Sequence, residues 1–318
     1  MSQAITDTLR GIGGSRVRWA DVPGEFRAEI GRALGAEVVA AADQTGGFSP
    51  GVAARLVLAD GRRAFVKAAA AARNPDSVAL LRREASVLRA LPSSVPGPRV
   101  LGTVVGPEWM ALLQREIPGR PPALPWPRAE LDRVLSALAD LATALTPAPL
   151  SLPSLAETHA TAFTGWRTVA AGEQSGDGLP EWARARVDSL AELESRWEMA
   201  AEGDTLLHAD LRADNLLLTE DAVVPVDWAH ACTGVAWIEL LGMLPSVVMQ
   251  GGPDPGEIWA AHPVARGVDP ARVTAVLAAF AGFFLVDSLR PAPPNLPRLR
   301  AFQRAQGEAA LAWLRSRL

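Results

Sequence analysis

The sequence contains no tyrosine and only one cysteine, Cys232. A single cysteine excludes an intramolecular disulfide bond and a metal site built from several thiolates. The absence of tyrosine, together with abundant alanine, arginine and proline, indicates the coding bias of a GC-rich genome rather than a functional constraint. The low cysteine content therefore excludes two kinds of chemistry but does not identify the chemistry of this protein.

An excess of charge of one sign is also missing, because the formal net charge is −4 and the basic residues form no long cluster. This composition predicts no nucleic-acid-binding surface. The N-terminal segment MSQAITDTLRGIGG lacks the apolar core of a signal peptide. The longest apolar runs, such as Val273–Leu285, are too short to cross a bilayer. We therefore expect no membrane association and a cytoplasmic location.

The sequence does contain enough apolar material for a sizeable core, since 49% of its 318 residues are hydrophobic and 21% are charged. A chain of this length favours two lobes or domains. In the first third, an amphipathic segment from Pro23 to Leu34 precedes the first β-like run, and the Asp-Gly pair within Ala59–Arg62 is a strong hairpin signal. A helix is predicted after Asn74–Pro75–Asp76. The predicted strands are Glu37–Ala42, Val52–Ala59, Arg63–Ala68, Pro98–Val105 and Trp109–Ile117.

The segment PGRPPALPWP at 118–127 carries five prolines and is the best candidate for a linker. Beyond it the pattern is mainly helical, apart from one β-like stretch at 206–231. The expected fold class is therefore α+β, with an N-terminal lobe at 1–116 and a larger, mainly helical C-terminal lobe at 117–318. The helices predicted in the second lobe are 128–146, 154–171, 180–202, 235–249, 256–262, 270–288 and 295–317.

The β-like stretch, LLHADLRADNLLLTEDAVVPVDWAHA, places four aspartates among runs of leucine and valine. Buried carboxylates are costly unless a partner offsets their charge. A short hairpin, with strands near Asn215–Leu218 and Val223–Val226, would bring Asn215 and Asp227 side by side. These two oxygen ligands would suit a Mg²⁺ ion that bridges nucleotide phosphates. Asp210, on the loop before the hairpin, would accept a proton from a substrate hydroxyl.

The motif H-x-D-L-x-x-x-N, followed by an apolar strand that ends in aspartate, resembles the catalytic core of the kinase superfamily. The pair Asp227–Trp228 narrows the resemblance to the aminoglycoside phosphotransferase and choline kinase-like family. The resemblance extends over about residues 37–242. It implies a bilobal protein-kinase-like fold, with a five-stranded antiparallel sheet plus a helix in the N-terminal lobe, and a nucleotide between the lobes.

On this resemblance, Lys67 is the phosphate-binding lysine, and Glu84 on the following helix is its ion-pair partner. The segment LLQREIPGR at 112–120 resembles the hinge that binds adenine through its backbone. Gln114, Glu116 and Ile117 are thereby assigned to the nucleotide.

The glycine-rich segment TGGFSPG at 45–51 stands where the phosphate-covering loop of the family belongs. This assigns Gly46, Gly47 and Phe48 to the nucleotide as well. The spacing of the glycines departs from that of protein kinases. A plain β-turn is the alternative for this segment.

The resemblance assigns Asp210, His208 and Arg212 as catalytic residues and Asn215 and Asp227 as metal ligands. Asp210 is the general base, whereas His208 organises the backbone of the loop. For Arg212 two roles stay open, one on the γ-phosphate and one that is structural.

Two positions near the catalytic loop depart from the family. Ala209 replaces a glycine that is common there. Glu239 stands in the place of an aspartate that steadies the loop from the next helix. Both changes are small, and we expect the loop to tolerate them.

The implied function is an O-phosphotransferase that moves the γ-phosphate of ATP or GTP, with Mg²⁺, onto a hydroxyl of a small molecule, either an antibiotic or a metabolite. Helical sequence resumes at about Val235, which leaves little room after Asp227 to order a peptide substrate. Ala229 and His230 are acidic in several aminoglycoside-modifying relatives, and their identity here argues against a polycationic acceptor. The alternative is a catalytically idle kinase-like protein that binds a nucleotide or a small molecule. A metal hydrolase built on the histidines has too few ligands, and the oligomeric state stays open.

Overall fold

The structure is a computed structural model that describes residues 16–44, 51–73, 75–293 and 296–318. Its internal contacts divide the chain into two compact units. The first unit contains the described residues up to Pro121 together with Asp214–Ala231, and the second contains Pro122–Ala213 and Cys232–Leu318. The lobe boundary at 116/117 stays a prediction, because the contacts divide the chain at the proline-rich segment and group the residues around Asp227 with the first unit.

The first unit is built on the predicted five-stranded antiparallel sheet. Its strands are β1 (Val38–Asp43), β2 (Val52–Leu58), β3 (Arg63–Ala70), β4 (Val100–Val105) and β5 (Trp109–Arg115). They lie in the order β1-β2-β3-β5-β4, so β5 is paired on both sides. The Asp-Gly signal is confirmed, because Gly61 has a φ of 84° in the tight turn between β2 and β3.

One face of this sheet forms the core of the first unit. Alternate residues of neighbouring strands point to it, among them Val52 of β2 and Val66 of β3. They pack against helix α1 (Gly24–Leu34), whose Phe26 and Ile30 are buried. Because a slip of one residue would move this apolar set to the opposite face, the core fixes the register of the strands.

The opposite face carries the residues in between, and helix α2 (Pro75–Ala90) packs against β3 and β5. The predicted hairpin is also present in the first unit, as β7 (Leu216–Leu218) paired with β8 (Val223–Pro225). Arg120 and Leu218 exchange two backbone hydrogen bonds, which join the hairpin to the chain after β5.

The second unit is mainly helical, as expected. Its helices are α3 (Arg128–Ala144), α4 (Leu155–His159), α5 (Gly165–Ala170), α6 (Glu181–Arg184), α7 (Val187–Glu194), α8 (Trp197–Ala201), α9 (Trp237–Met249), α10 (Pro255–Ala261), α11 (Pro270–Asp287) and α12 (Leu299–Arg317). It also contains a small antiparallel ladder that the sequence does not predict, between β6 (Thr205–Leu207) and β9 (Cys232–Gly234).

Two segments predicted as continuous helices are divided into shorter helices in the structure, so these two predictions are wrong. The segment predicted as 154–171 is divided into α4 and α5, because the carboxylate of Glu194 accepts hydrogen bonds from the backbone N–H groups of Trp166 and Arg167 and so begins a new helix. The segment predicted as 180–202 is divided into α6, α7 and α8. A partner almost thirty residues away along the chain makes the first break invisible to a local pattern.

Helix α11 is both long and strongly apolar. Its 18 residues have a mean hydropathy of 1.5, which is enough by length and composition to cross a membrane. The helix is thus longer than the run Val273–Leu285 that the sequence suggests. However, 61% of it is buried within the structure, and it packs against α5, α7, α8 and α12, as the central helix of a folded unit does.

The contact between α5 and α11 generates a test of this packing. A Cβ atom at Gly165 would lie 2.5 Å from the carbonyl oxygen of Gly282, so the two backbones touch. We expect Gly165→Ala to destabilise the chain by roughly 1–3 kcal/mol, because backbone must move to make room. Gly242→Ala in α9 is the matched control, since its Cβ would meet only Phe280 at 3.7 Å. Thermal unfolding that shows equal stability of the two variants would contradict this packing.

Candidate active site

Lys67 lies in the middle of β3, on the face of the sheet opposite the core, where it is paired with Ala53 of β2 and Leu112 of β5. Its ammonium Nζ is 2.8 Å from Oε1 and 2.9 Å from Oε2 of Glu84 on α2. The same Nζ is 3.0 Å from Oδ1 of Asp227. One cation therefore joins a strand, a helix and the end of the β7–β8 hairpin within the first unit.

Burial and charge act in opposite directions on this group. Burial alone would lower the pKa of the Lys67 ammonium, but the carboxylates of Asp227 and Glu84 outweigh it and hold that pKa above its ordinary value. For Glu84, which is 1% exposed, burial raises the pKa although Lys67 opposes the shift. Two carboxylates share one ammonium, so the cluster favours a further cation near its more accessible end.

That accessible end is Asp227, whose side chain is 41% exposed. Its backbone has a φ of 69°, a left-handed conformation that aspartate tolerates better than most residues. The turn is held on both sides, since Val226 N–H donates to the carbonyl of Asn215 and the fully buried Trp228 donates from Nε1 to the carbonyl of Pro225. Asp227 is thus presented from a rigid position.

Helix α2 also contributes to this position. Arg83, next to Glu84, donates a hydrogen bond of 2.6 Å to the carbonyl of Ala231. The helix that supplies Glu84 is therefore attached to the segment that follows Asp227. A movement of α2 would disturb both ends of the ion-pair cluster.

The predicted metal ligands, Asn215 and Asp227, lie on adjoining parts of the hairpin, although only Asp227 is solvent-accessible. Among the described residues, no group of three or more His, Cys, Asp or Glu side chains could hold a metal ion. One carboxylate and one amide fit a hard divalent ion that takes its other ligands from phosphate oxygens and water. The donor set therefore fits a nucleotide-bound Mg²⁺ and does not fit a structural metal.

The three predicted hinge residues make different contacts. The side chain of Gln114, 3% exposed, donates from Nε2 to Oε1 of Glu84 at 3.3 Å, so this residue contributes to the ion-pair cluster through its side chain. The carboxylate of Glu116 pairs with Arg55 and Arg63, and the carbonyl of Ile117 accepts from Gly119 N–H. Adenine binding by the backbone of this segment stays a prediction.

Gly46, Gly47 and Phe48, the predicted phosphate-covering residues, lie outside the described residues. The structure does show a residue that the sequence does not single out. Phe65 precedes Lys67 by two positions in β3, and because side chains alternate along a strand, the two lie on the same face. The alternation is visible in the sequence, but only the packing of α1 shows which residues of β3 face the core and which lie on the opposite face.

In the second unit, strand β6 leads directly into the loop that carries the predicted catalytic residues. His208 is 2% exposed, and its Nδ1 accepts a hydrogen bond of 3.3 Å from the backbone N–H of Asp210. This arrangement is what we expect of a residue that organises the loop. The backbone N–H of Ala209 donates to Oε1 of Glu239 at 2.9 Å, so α9 holds the loop from the other side.

Ala209 has a φ of 63°, a left-handed backbone conformation that favours glycine. A Cβ atom costs roughly 1–2 kcal/mol in the left-handed region. The hydrogen bonds of His208 and Glu239 hold the loop in this conformation despite that cost. The strained residue directly precedes Asp210.

The guanidinium of Arg212 forms an ion pair with the carboxylate of Asp210. It also lies over the ring of Phe302 on α12, 5.4 Å from the ring centroid. Asp210 and Arg212 are both partly buried, with 29% and 13% of their side chains exposed. The sequence gives no signal for Phe302, which lies far along the chain on the last helix.

Glu239 is the second titratable group of the loop. Burial raises its pKa to about 7, although the hydrogen bonds from the backbone of Ala209 and His208 oppose the shift and the charge of Asp210 adds to it. Glu239 therefore changes its charge near neutral pH. The predicted contact between Glu239 and the loop backbone is therefore present.

Residues 46–276 match the sequence model of the phosphotransferase enzyme family. No curated protein matches the chain. The fold is shared with a thermostable mutant of an aminoglycoside phosphotransferase in a ternary complex with ADP and hygromycin B. That structure is 17% identical, with a TM-score of 0.61, and the match covers 91% of this chain and 98% of the other.

Two further solved structures are similar. A choline kinase from Streptococcus pneumoniae is 11% identical, with a TM-score of 0.58, over 92% of this chain and 98% of the other. An amicoumacin kinase in complex with AMP-PNP and Ca²⁺ is 11% identical, with a TM-score of 0.57, over 90% of this chain and 93% of the other. At these identities the similarity shows the fold, which is that of protein-kinase-like phosphotransferases.

The raised pKa of Glu239 predicts a pH-dependent stability. An ordinary glutamate releases its proton near pH 4.5, whereas folded Glu239 keeps it to about 7. The stability that this residue contributes is therefore complete below pH 4.5 and is lost as the pH rises towards 7. In Glu239→Gln the new amide has no proton to lose, and its oxygen could still accept from Ala209 N–H. We expect the melting temperature of this variant, measured relative to that of the parent at the same pH, to increase from pH 5 to pH 7.

Differential scanning calorimetry at pH 5, 6 and 7 would measure this effect. Glu257→Gln, at an exposed position of α10 in the same unit, is the matched control and should follow the parent. A difference between Glu239→Gln and the parent that stays constant over this range would contradict the assignment.

Proposed function

The chain belongs to the phosphotransferase enzyme family, and on that premise we propose that it is a small-molecule kinase. It would transfer the γ-phosphoryl group of ATP or GTP, bound with Mg²⁺, to a hydroxyl of a small molecule. The observation that carries this proposal is the position of the Lys67 ammonium, within hydrogen-bonding distance of Glu84 and Asp227. A lysine oriented by a helix glutamate and an aspartate at a strand end is the arrangement that kinases use to bind phosphates.

At the nucleotide end, Lys67 would bind phosphate oxygens through its ammonium, with Glu84 holding it in place. Gln114 supports Glu84 from β5. Phe65, on the same face of the sheet, offers a flat apolar surface for a base. Asn215 and Asp227 would hold the metal ion, which when bound neutralises phosphate charge.

At the acceptor end, Asp210 would hydrogen-bond the hydroxyl and take its proton as the new P–O bond forms. The transition state of phosphoryl transfer is loose, so the position of the hydroxyl matters more than the strength of the base. His208 and Glu239 fix the loop backbone on either side. Arg212, already paired with Asp210, would stabilise negative charge that develops on the phosphoryl group.

The acceptor would be a small molecule rather than a peptide. Only Trp228–Ala236 separates Asp227 from helix α9, which begins at Trp237. A segment of this length leaves little room for a surface that orders an extended chain. The similarity to kinases of antibiotics and of choline is in agreement with this proposal.

A catalytically idle binding protein is the alternative. It is less consistent with the sequence, because a protein that only binds ligands has no need of a complete set of phosphoryl-transfer residues. That set is present without substitution: Lys67, Glu84, Asp210, Asn215 and Asp227. Turnover measurements separate the two functions.

Asp210→Asn tests the proposed chemistry. The asparagine keeps the shape and an oxygen that accepts from Arg212, but it cannot take a proton. We expect nucleotide affinity close to that of the parent and a loss of roughly 10²–10⁴-fold in kcat, the usual contribution of a general base. Nucleotide titration and ADP release should be measured on the same sample over a panel of amino alcohols, sugars and antibiotics.

Asp214→Asn is the matched control, since it removes an exposed carboxylate four positions further along the same segment. It should keep full turnover. If Asp210→Asn turned over as fast as the parent, Asp210 would not be the base. If it lost nucleotide binding as well, its role would be structural.

A further inference from the structure

Five of the eight phenylalanines of the chain belong to one series of ring contacts in the second unit. Three of them, Phe280, Phe283 and Phe284, lie on α11 at helical spacing, and we refer to these three as the aromatic wall. Phe280 and Phe283 contact Phe284 edge to face, with centroids 4.7 and 4.8 Å away. Such contacts hold the rings in fixed orientations.

The aromatic wall is not part of the buried core of α11. The positions of the helix that are fully buried carry small or aliphatic residues, such as Leu277 and Ala281, whereas Phe280, Phe283 and Phe284 remain partly exposed. A folded unit seldom leaves several large rings partly exposed side by side unless they bind something. A wall of rings with fixed orientation suits the apolar part of a small ligand.

The aromatic wall continues to the catalytic pair. Phe284 contacts Phe302 of α12, with centroids 6.5 Å apart. The guanidinium of Arg212 lies over Phe302 and pairs with Asp210. A ligand that lies along the wall would therefore have one end near the carboxylate proposed to accept the hydroxyl proton.

The charges around the aromatic wall do not favour a cationic ligand. Two titratable groups contact these rings, Arg212 on Phe302 and His159 on Phe163 at the other end. The nearby carboxylates have partners of their own: Asp287 pairs with Arg290, and Glu194 accepts from the start of α5. Both carboxylates are therefore already engaged, and neither is available to offset the charge of a polycationic ligand.

We propose that the aromatic wall binds an apolar ring system of the phosphate acceptor, so that the acceptor is a neutral, largely apolar alcohol. This inference rests on the proposed kinase function and gives its substrate class. The hydroxyl would reach Asp210 while the ring system packs on Phe280, Phe283 and Phe284. A quaternary ammonium, which aromatic faces also attract, is the competing ligand chemistry and forms one arm of the test.

The test is a calorimetric titration of the full chain with three probes: 2-(2-naphthyl)ethanol as a neutral aryl alcohol, kanamycin as a polycation, and choline as a quaternary ammonium. We expect the parent to bind the aryl alcohol most tightly. Phe284→Leu should weaken that binding about tenfold, because loss of one ring contact costs on the order of 1.4 kcal/mol. Phe280→Leu gives a second position should the first variant fold poorly.

Leu101→Ser is the matched control, since it removes an exposed apolar side chain from β4 in the other unit and should leave binding unchanged. Tighter binding of kanamycin or choline than of the aryl alcohol by the parent would overturn the proposal. Equal affinity of the parent and both phenylalanine variants for the aryl alcohol would also overturn it.

Calorimetry measures binding without turnover. A failure of the proposed substrate class can therefore be distinguished from a failure of the proposed kinase function. Wall-dependent binding without ADP release from any acceptor would contradict the kinase function and leave the binding site in place. ADP release with a cationic acceptor, insensitive to Phe284→Leu, would contradict the substrate class and leave the kinase function in place.

Discussion

The position of one ammonium group, that of Lys67, between two carboxylates is the interaction on which the candidate nucleotide site depends. Burial disfavours a charged lysine, but the carboxylates of Asp227 and Glu84 outweigh it and keep the pKa of Lys67 raised. These partners belong to α2 and to the turn after β8, so the ion pairs hold together elements that the chain order separates widely. Removal of either carboxylate would leave a buried charge incompletely compensated, which is costly.

In the second unit, the loop of the predicted catalytic residues is held by a balance between an unfavourable backbone conformation and hydrogen bonds. Ala209 adopts a backbone conformation that disfavours its Cβ atom, and the contacts of His208 and Glu239 maintain it. The following residue, Asp210, forms an ion pair with Arg212. In both units the groups proposed for chemistry are therefore fixed by neighbours before any ligand binds, as pre-organised catalysis requires.

Much of this arrangement is predictable from local signals. The Asp-Gly turn and the alternation of β2 and β3 predict the sheet, whereas the ion pair of Lys67 and Glu84 follows from the family resemblance. The hairpin that carries Asp227 follows from two short apolar runs around a polar turn. Each of these features depends on residues close together in sequence or on a family motif.

The features that the sequence does not reveal depend on distant partners. The break between α4 and α5 results from a carboxylate on α7, and β6 and β9 are three-residue strands with no periodicity to detect. The side-chain role of Gln114 depends on Glu84 lying opposite it. The aromatic wall requires knowledge of which face of α11 stays open, and a phenylalanine-rich helix alone predicts only a core.

The most direct measurement of the central claim is the metal dependence of nucleotide affinity in Asp227→Ala. ADP should be titrated into the parent, into Asp227→Ala and into Asp221→Ala, which removes an exposed carboxylate from the turn of the same hairpin. The account predicts that Mg²⁺ tightens ADP binding to the parent and to Asp221→Ala but has no effect on Asp227→Ala. The same Mg²⁺ dependence in all three proteins would contradict it.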